Sequence, residues 1–196
     1  MKLILVRHGE AENNVSVVAG GQLEYKLTRN GIEQAKKLAK RLKDEKIEVV
    51  FCSPLSRAKD TAKEIVKLHP KVKIVYDDKL KEMNFGELEG KSTSLFHAAV
   101  EEFEGPIEEF RVKGGESYKE LIGRAKSFIK QLETYHGKTV LAVSHGRTIR
   151  AILHVLLSKP LDEIMKEKFY NTSVTILELK EGKFGALKYN CIAHLD

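Results

Sequence analysis

Two short apolar runs in this sequence end on the same dipeptide. KLILVR, Lys2 to Arg7, runs into His8-Gly9, and TVLAVS, Thr139 to Ser144, runs into His145-Gly146. A histidine at the end of a buried strand offers an imidazole that can act as nucleophile, base or hydrogen-bond donor near neutral pH. The glycine beside it lets a ligand approach the backbone closely. Arg7 adjoins the first histidine, and Arg57 opens a helical pattern just after a third apolar run, VVFCS, Val49 to Ser53. Guanidinium forks match phosphate oxygens in bidentate geometry, so two arginines and two imidazoles around one point make a phosphate site. The helix after Gly146 is expected to aim its N-terminal amides at the same anion.

For these residues to meet, their strands must lie in one sheet with carboxyl ends aligned, the edge where open α/β sheets bind ligands. Six runs read as strands: Lys2 to Arg7, Val49 to Ser53, Val72 to Tyr76, Thr139 to Ser144, Ser173 to Leu179 and Lys183 to Tyr189, the last two joined across Glu181-Gly182 as a hairpin. Helical stripes lie between them. One runs through Ile32, Ala35, Leu38, Ala39 and Leu42 after the N-cap candidate Thr28; a second through Ala58, Ala62, Ile65, Val66 and Leu68. A third runs from Tyr118 to Leu132 after the N-cap candidate Ser117. Strands alternating with helices predict an α/β fold, a three-layer αβα sandwich around a mostly parallel six-stranded sheet, with antiparallel pairing at the C-terminal hairpin. Residues 81–115 break the alternation and scatter Phe85, Phe96, Phe103 and Phe110 among glycines, so they read as a lid inserted into a single domain, 1–196.

Composition narrows the classes. The chain has 196 residues, 42% hydrophobic and 32% charged, enough for one sizeable core and too regular for disorder or low complexity. No apolar run is long enough to span a bilayer, and KLILVR leaves no room for a leader, so a cytoplasmic protein without membrane contact is expected. Cys52 and Cys191 lie far apart without metal-site spacing, and the remaining histidines form no HxxxH pattern; no metal is expected. The net charge of +6 suits an anionic ligand. It does not by itself suggest nucleic acid, because the lysines are interleaved with acids as on a solvated helix face.

An ordered set of motifs carries a resemblance across nearly the whole chain: RHGEAENN at Arg7 to Asn14, the pattern LTxxGxxQA at Leu27 to Ala35, SPLSRAKDTA at Ser53 to Ala62, LKEMNFGELEG at Leu80 to Gly90, GGES at Gly114 to Ser117 and SHG at Ser144 to Gly146. The chain resembles the histidine phosphatase superfamily in its phosphoglycerate mutase-like branch. The resemblance implies ping-pong phosphoryl transfer without cofactor, through a phosphohistidine on His8. Arg7, Arg57 and His145, the last as imidazolium, would stabilise charge on the peripheral oxygens. It also implies that Glu82 is the general acid, then the base for water. Asn14 would donate to a phosphate oxygen, the Gly20-Gly21 amides would meet substrate, and Gly146 would admit it closely.

Departures from the family patterns narrow the branch. Ala11 and Asn13 stand where phytase-like members carry RHGxRxP, and Met83 stands where glycolytic mutases carry arginine. Length, FGELEG and GGES look closer to alpha-ribazole phosphatase and the broad-specificity phosphatases. The expected activity is metal-independent hydrolysis of a small phosphorylated metabolite. Phosphoglycerate mutase is the alternative, and a phosphate-binding pseudoenzyme or protein phosphatase follow behind it. A homodimer is left open. Within the lid, Phe96, Phe110, Arg111, Lys113 and His97 are the candidates to cover the leaving group.

Overall fold

A computed structural model describes all 196 residues. Its sheet has six strands in the order β3-β2-β4-β1-β5-β6: β1 Lys2–Arg7, β2 Val49–Cys52, β3 Ile74–Tyr76, β4 Thr139–Ser144, β5 Val174–Lys180 and β6 Lys183–Cys191. The first four strands are mutually parallel. β5 runs antiparallel to β1 as well as to β6, so the change of direction begins one strand earlier than the hairpin alone implies. Glu181 and Gly182 both have positive φ, 49° and 75°, the pairing a two-residue turn needs to follow the right-handed twist of its strands.

Helices cover both faces: α1 Glu12–Val15, α2 Arg29–Leu42, α3 Ser56–Val66, α4 Thr93–Glu101, α5 Tyr118–Leu132, α6 Gly146–Leu157 and α7 Leu161–Ile164. The central strands are buried on both sides and so alternate between two cores. Leu3, Leu5, Val140 and Ala142 face α5 and α6, whereas Ile4, Val6, Leu141 and Val143 face α2 and α3. Thr28 caps α2 by accepting from the Gly31 amide, and Ser117 with Glu120 forms a capping box at α5. Ile32 and Leu68, read as stripe residues, are instead 38% and 45% exposed. Ile32 sits in the first turn of α2 and Leu68 lies beyond the end of α3.

The segment 81–115 folds against the first core. Phe85, Phe96 and Phe110 are buried in it, and α4 is its one α-helix. No helix in the structure is long and apolar enough to cross a membrane.

Candidate active site

Arg7 lies opposite Ser144 in the β1–β4 register, so His8 and His145 leave the sheet side by side, with ring centroids 5.0 Å apart. β2 flanks β4 on the other side, and the turn after it starts α3, whose first turn carries Arg57. Parallel pairing thus delivers three distant segments to one edge.

His8 is 3% exposed, and its Nδ1 lies 2.7 Å from the Gly9 carbonyl oxygen. A carbonyl only accepts, so Nδ1 carries the proton and Nε2 the lone pair. Nε2 has no hydrogen-bond partner within the chain, and the ring lines a cavity of about 430 Å³. Burial, reinforced by the charges of Arg57 and Arg7, holds this imidazole well below its usual pKa. It is therefore neutral, with its nucleophilic nitrogen free.

His145 differs from expectation. It is fully buried and absent from the cavity wall. Arg57 Nε donates to its Nδ1 at 3.2 Å, and its Nε2 lies 2.7 Å from Ser53 Oγ. A guanidinium only donates, so Nδ1 holds a lone pair and Nε2 the proton. The ring is neutral rather than imidazolium, because desolvation, then Arg57, His8 and Arg7, push its pKa far down. His145 braces Arg57 from behind.

Arg57 also donates to the Leu23 and Gly21 carbonyls at 2.8 and 2.7 Å, which ties the Gly20–Leu23 loop to the cavity it lines. Gly21 has φ +48°, and a Cβ there would lie 2.0 Å from Glu89 Oε1, so a side chain at this position would have to displace Glu89. The amides of Gly20 and Gly21 donate to nothing within the chain. Arg7 donates to the Phe169 carbonyl at 2.5 Å while its buried Nε has no partner, an orphaned donor beside the cavity. Asn14 Oδ1 accepts from the Ala11 amide and from Asn171 Nδ2, and its own amide nitrogen has no partner in the chain. No cluster of three or more His, Cys, Asp or Glu side chains is placed to hold a metal ion.

Glu82 occupies the place expected for an external anion. The Arg147 and Thr148 amides at the start of α6 donate to Oε1 at 3.2 and 3.3 Å, and the Met83 amide does so at 3.0 Å. The helix terminus is thus satisfied by a carboxylate of the chain itself. Oε2 accepts only from Arg147, at 3.3 Å, and is the freer oxygen beside the cavity. The loop under Glu82 is clamped by Arg124, which donates to the Lys79 and Lys81 carbonyls at 2.7 and 2.8 Å and pairs with Glu116 at 2.8 Å. Gly146 lines the cavity, and a Cβ added there would lie 3.9 Å from both Arg7 Nε and Glu82 Oε2.

Segment 81–115 supplies fewer contacts than expected. Phe96 and His97 line the cavity, but Phe110 is buried among Phe96, Phe103 and Tyr118 and does not reach it. Arg111 pairs with Glu120 and Lys113 with Glu87 away from the cavity. Cations that the sequence reading passed over stand there instead: Arg147 and Arg150, one turn apart on α6, and Lys168 before β5. Arg147 stacks on Phe96, 4.2 Å from its ring centroid, and bonds Tyr118 Oη at 2.5 Å. Arg150 donates to the Glu167 carbonyl, and burial beside Arg147 lowers its pKa to about 10. None of the three forms a salt bridge. The i, i+3 spacing of the two arginines directly after SHG was the available signal.

A neutral strand-end imidazole with its Nδ1 proton tied to a backbone carbonyl, flanked by arginines on this sheet, is the arrangement of a histidine phosphatase. The family model for the histidine phosphatase superfamily (branch 1) matches residues 3–192, and the chain belongs to that superfamily and is a phosphatase. It is 32% identical to Phosphoserine phosphatase 1 of Hydrogenobacter thermophilus, over 100% of this chain and 94% of that protein. Among solved structures it resembles Bacillus stearothermophilus YhfR, with TM-score 0.90, 28% identity and coverage of 100% and 99% of the two chains. It also resembles the alpha-ribazole phosphatase of Shigella flexneri, with TM-score 0.87, 25% identity and coverage of 98% and 97%.

Proposed function

We propose that this chain hydrolyses phosphate monoesters of small metabolites in two steps, without a metal, within a single domain whose residues 81–115 act as lid. His8 Nε2 attacks phosphorus, the phosphorus–oxygen bond to the alcohol breaks, and Glu82 Oε2 delivers the proton that the alkoxide requires. Water then attacks the phosphohistidine, Glu82 takes its proton, the phosphorus–nitrogen bond breaks and inorganic phosphate leaves. Arg7, through its orphaned Nε, Arg57, Asn14 and the Gly20 and Gly21 amides hold the phosphoryl oxygens as charge spreads over them. His145 serves by fixing Arg57, and Gly146 leaves room for the phosphate. The observation that carries this reading is the His8 tautomer: a fixed Nδ1 proton, and an Nε2 without a partner in the chain on a ring that lines the cavity.

Arg147, Arg150 and Lys168 line the side of the cavity left to the alcohol and pair with no carboxylate, so the favoured ester is one whose alcohol bears a second anionic group. The mutase reading is the weaker one: Met83 is buried in the core, so no cation at that position holds an intermediate for a second transfer. The test is a screen of phosphate monoesters with EDTA present. Turnover that His8→Ala abolishes is expected; turnover that survives in His8→Ala, or that EDTA abolishes and magnesium or zinc restores, overturns the reading.

A further inference from the structure

The cavity at His8 shares a wall with a larger one. The second measures about 720 Å³, and His97, Arg147, Arg150 and Lys168 line both. Past those four side chains its character changes: Val100 from α4, Ile107 and Met165 turn apolar, half-buried surface toward an unfilled space. Tyr118, whose hydroxyl holds Arg147 in the dividing wall, completes that side. Glu101, Asp162 and Lys166 also line it and are exposed, a polar rim against water.

The order of chemistry along the two cavities is therefore phosphate site, unpaired cations, apolar chamber, polar rim. A volume of this size accommodates the body of a small ligand. Half-buried aliphatic side chains around empty space gain free energy when apolar matter covers them. The occupant must also satisfy the cations on the shared wall, and a substrate with its phosphate at His8 reaches them first.

Resting on the phosphatase reading above, we infer that the chamber beyond Arg147 and Arg150 is a subsite for the apolar tail of the leaving alcohol. The preferred substrate class is then a phosphate monoester that carries a carboxylate or similar anion close to the ester and an acyl or alkyl body beyond it. Arg147 is the specificity-determining residue between the two cavities, since its guanidinium meets the anion while its stacking on Phe96 keeps the passage formed.

The test uses O-phosphoserine acylated on nitrogen, in a series from acetyl to octanoyl. Wild-type kcat/KM is expected to rise along the series by at least about tenfold, since roughly two buried methylenes supply that factor. Ile107→Trp, which fills the chamber, flattens the rise; Met165→Trp repeats the test if the first variant folds poorly by circular dichroism. Binding of the same series to His8→Ala, measured by calorimetry, reads the chamber separately from turnover. A flat series in both assays, or a rise that persists undiminished in the filled variants, overturns the subsite. Affinity that grows with chain length while wild type hydrolyses no member overturns the phosphatase reading and leaves the chamber standing.

Discussion

Arg57 Nε donates to His145 Nδ1 across 3.2 Å, and this bond makes the second histidine a neutral brace for an arginine. The guanidinium is held at a fixed angle by His145, Gly21 and Leu23, with two N–H bonds still available to a ligand. Lysine has no fork with which to keep those partners. Arg57→Lys should therefore lower kcat on the order of 10²-fold, the scale for loss of one preorganised donor. Steady-state kinetics checks it, and near wild-type turnover would show that charge alone suffices at this position.

The two buried histidines should make the protein acid-sensitive. Both have folded-state pKa values well below the ordinary one, so between those values and about 6.5 the unfolded chain binds protons that the folded chain does not. Stability is then fully present above about pH 6.5 and falls as pH drops below it. Denaturant midpoints measured from pH 7.5 to 5 should decline, and His145→Gln should decline less steeply. An identical slope in the variant would mean that other groups govern the loss.

The acid role of Glu82 has a leaving-group signature. A nitrophenolate departs with little protonation, whereas an alkyl alkoxide needs nearly a full proton. Glu82→Gln should slow p-nitrophenyl phosphate much less than an alkyl phosphate. Equal losses on both would deny Glu82 that role.

Two phenylalanines of segment 81–115 should separate by location. Phe110 is 3% exposed and packed in the core, so Phe110→Ala should cost about 3–5 kcal/mol of stability and slow all esters alike. Phe96 lines the cavity and supports Arg147, so Phe96→Leu should reorder substrates. Thermal melts beside a substrate panel distinguish them; a uniform loss in Phe96→Leu would reduce it to a packing residue.

Most of this site could be read from the sequence because its members sit where strands end. Apolar runs stopped by His-Gly mark both the strand and its functional edge, and Arg57 follows the same logic one strand over. What escaped was set by packing across segments. Lys168 and Asn171 reach the cavity because β5 is antiparallel to β1 and so begins at the edge where β1 finishes. The SHG motif suggests a charge on His145 that suits a phosphate contact, but burial behind Arg57 removes it, and burial depth is invisible in the motif. Arg111 and Lys113 look free to meet a ligand in the sequence for a similar reason: only the fold brings their carboxylate partners, Glu120 and Glu87, near.

The covalent step at His8 tests the account most directly. Wild-type protein mixed with a phosphorus-labelled monoester and quenched within milliseconds should yield labelled protein whose label is stable to base, lost in acid and located on His8 Nε2. His8→Ala should carry none. Labelled turnover without any such protein adduct, or an adduct that persists in His8→Ala, would contradict the mechanism.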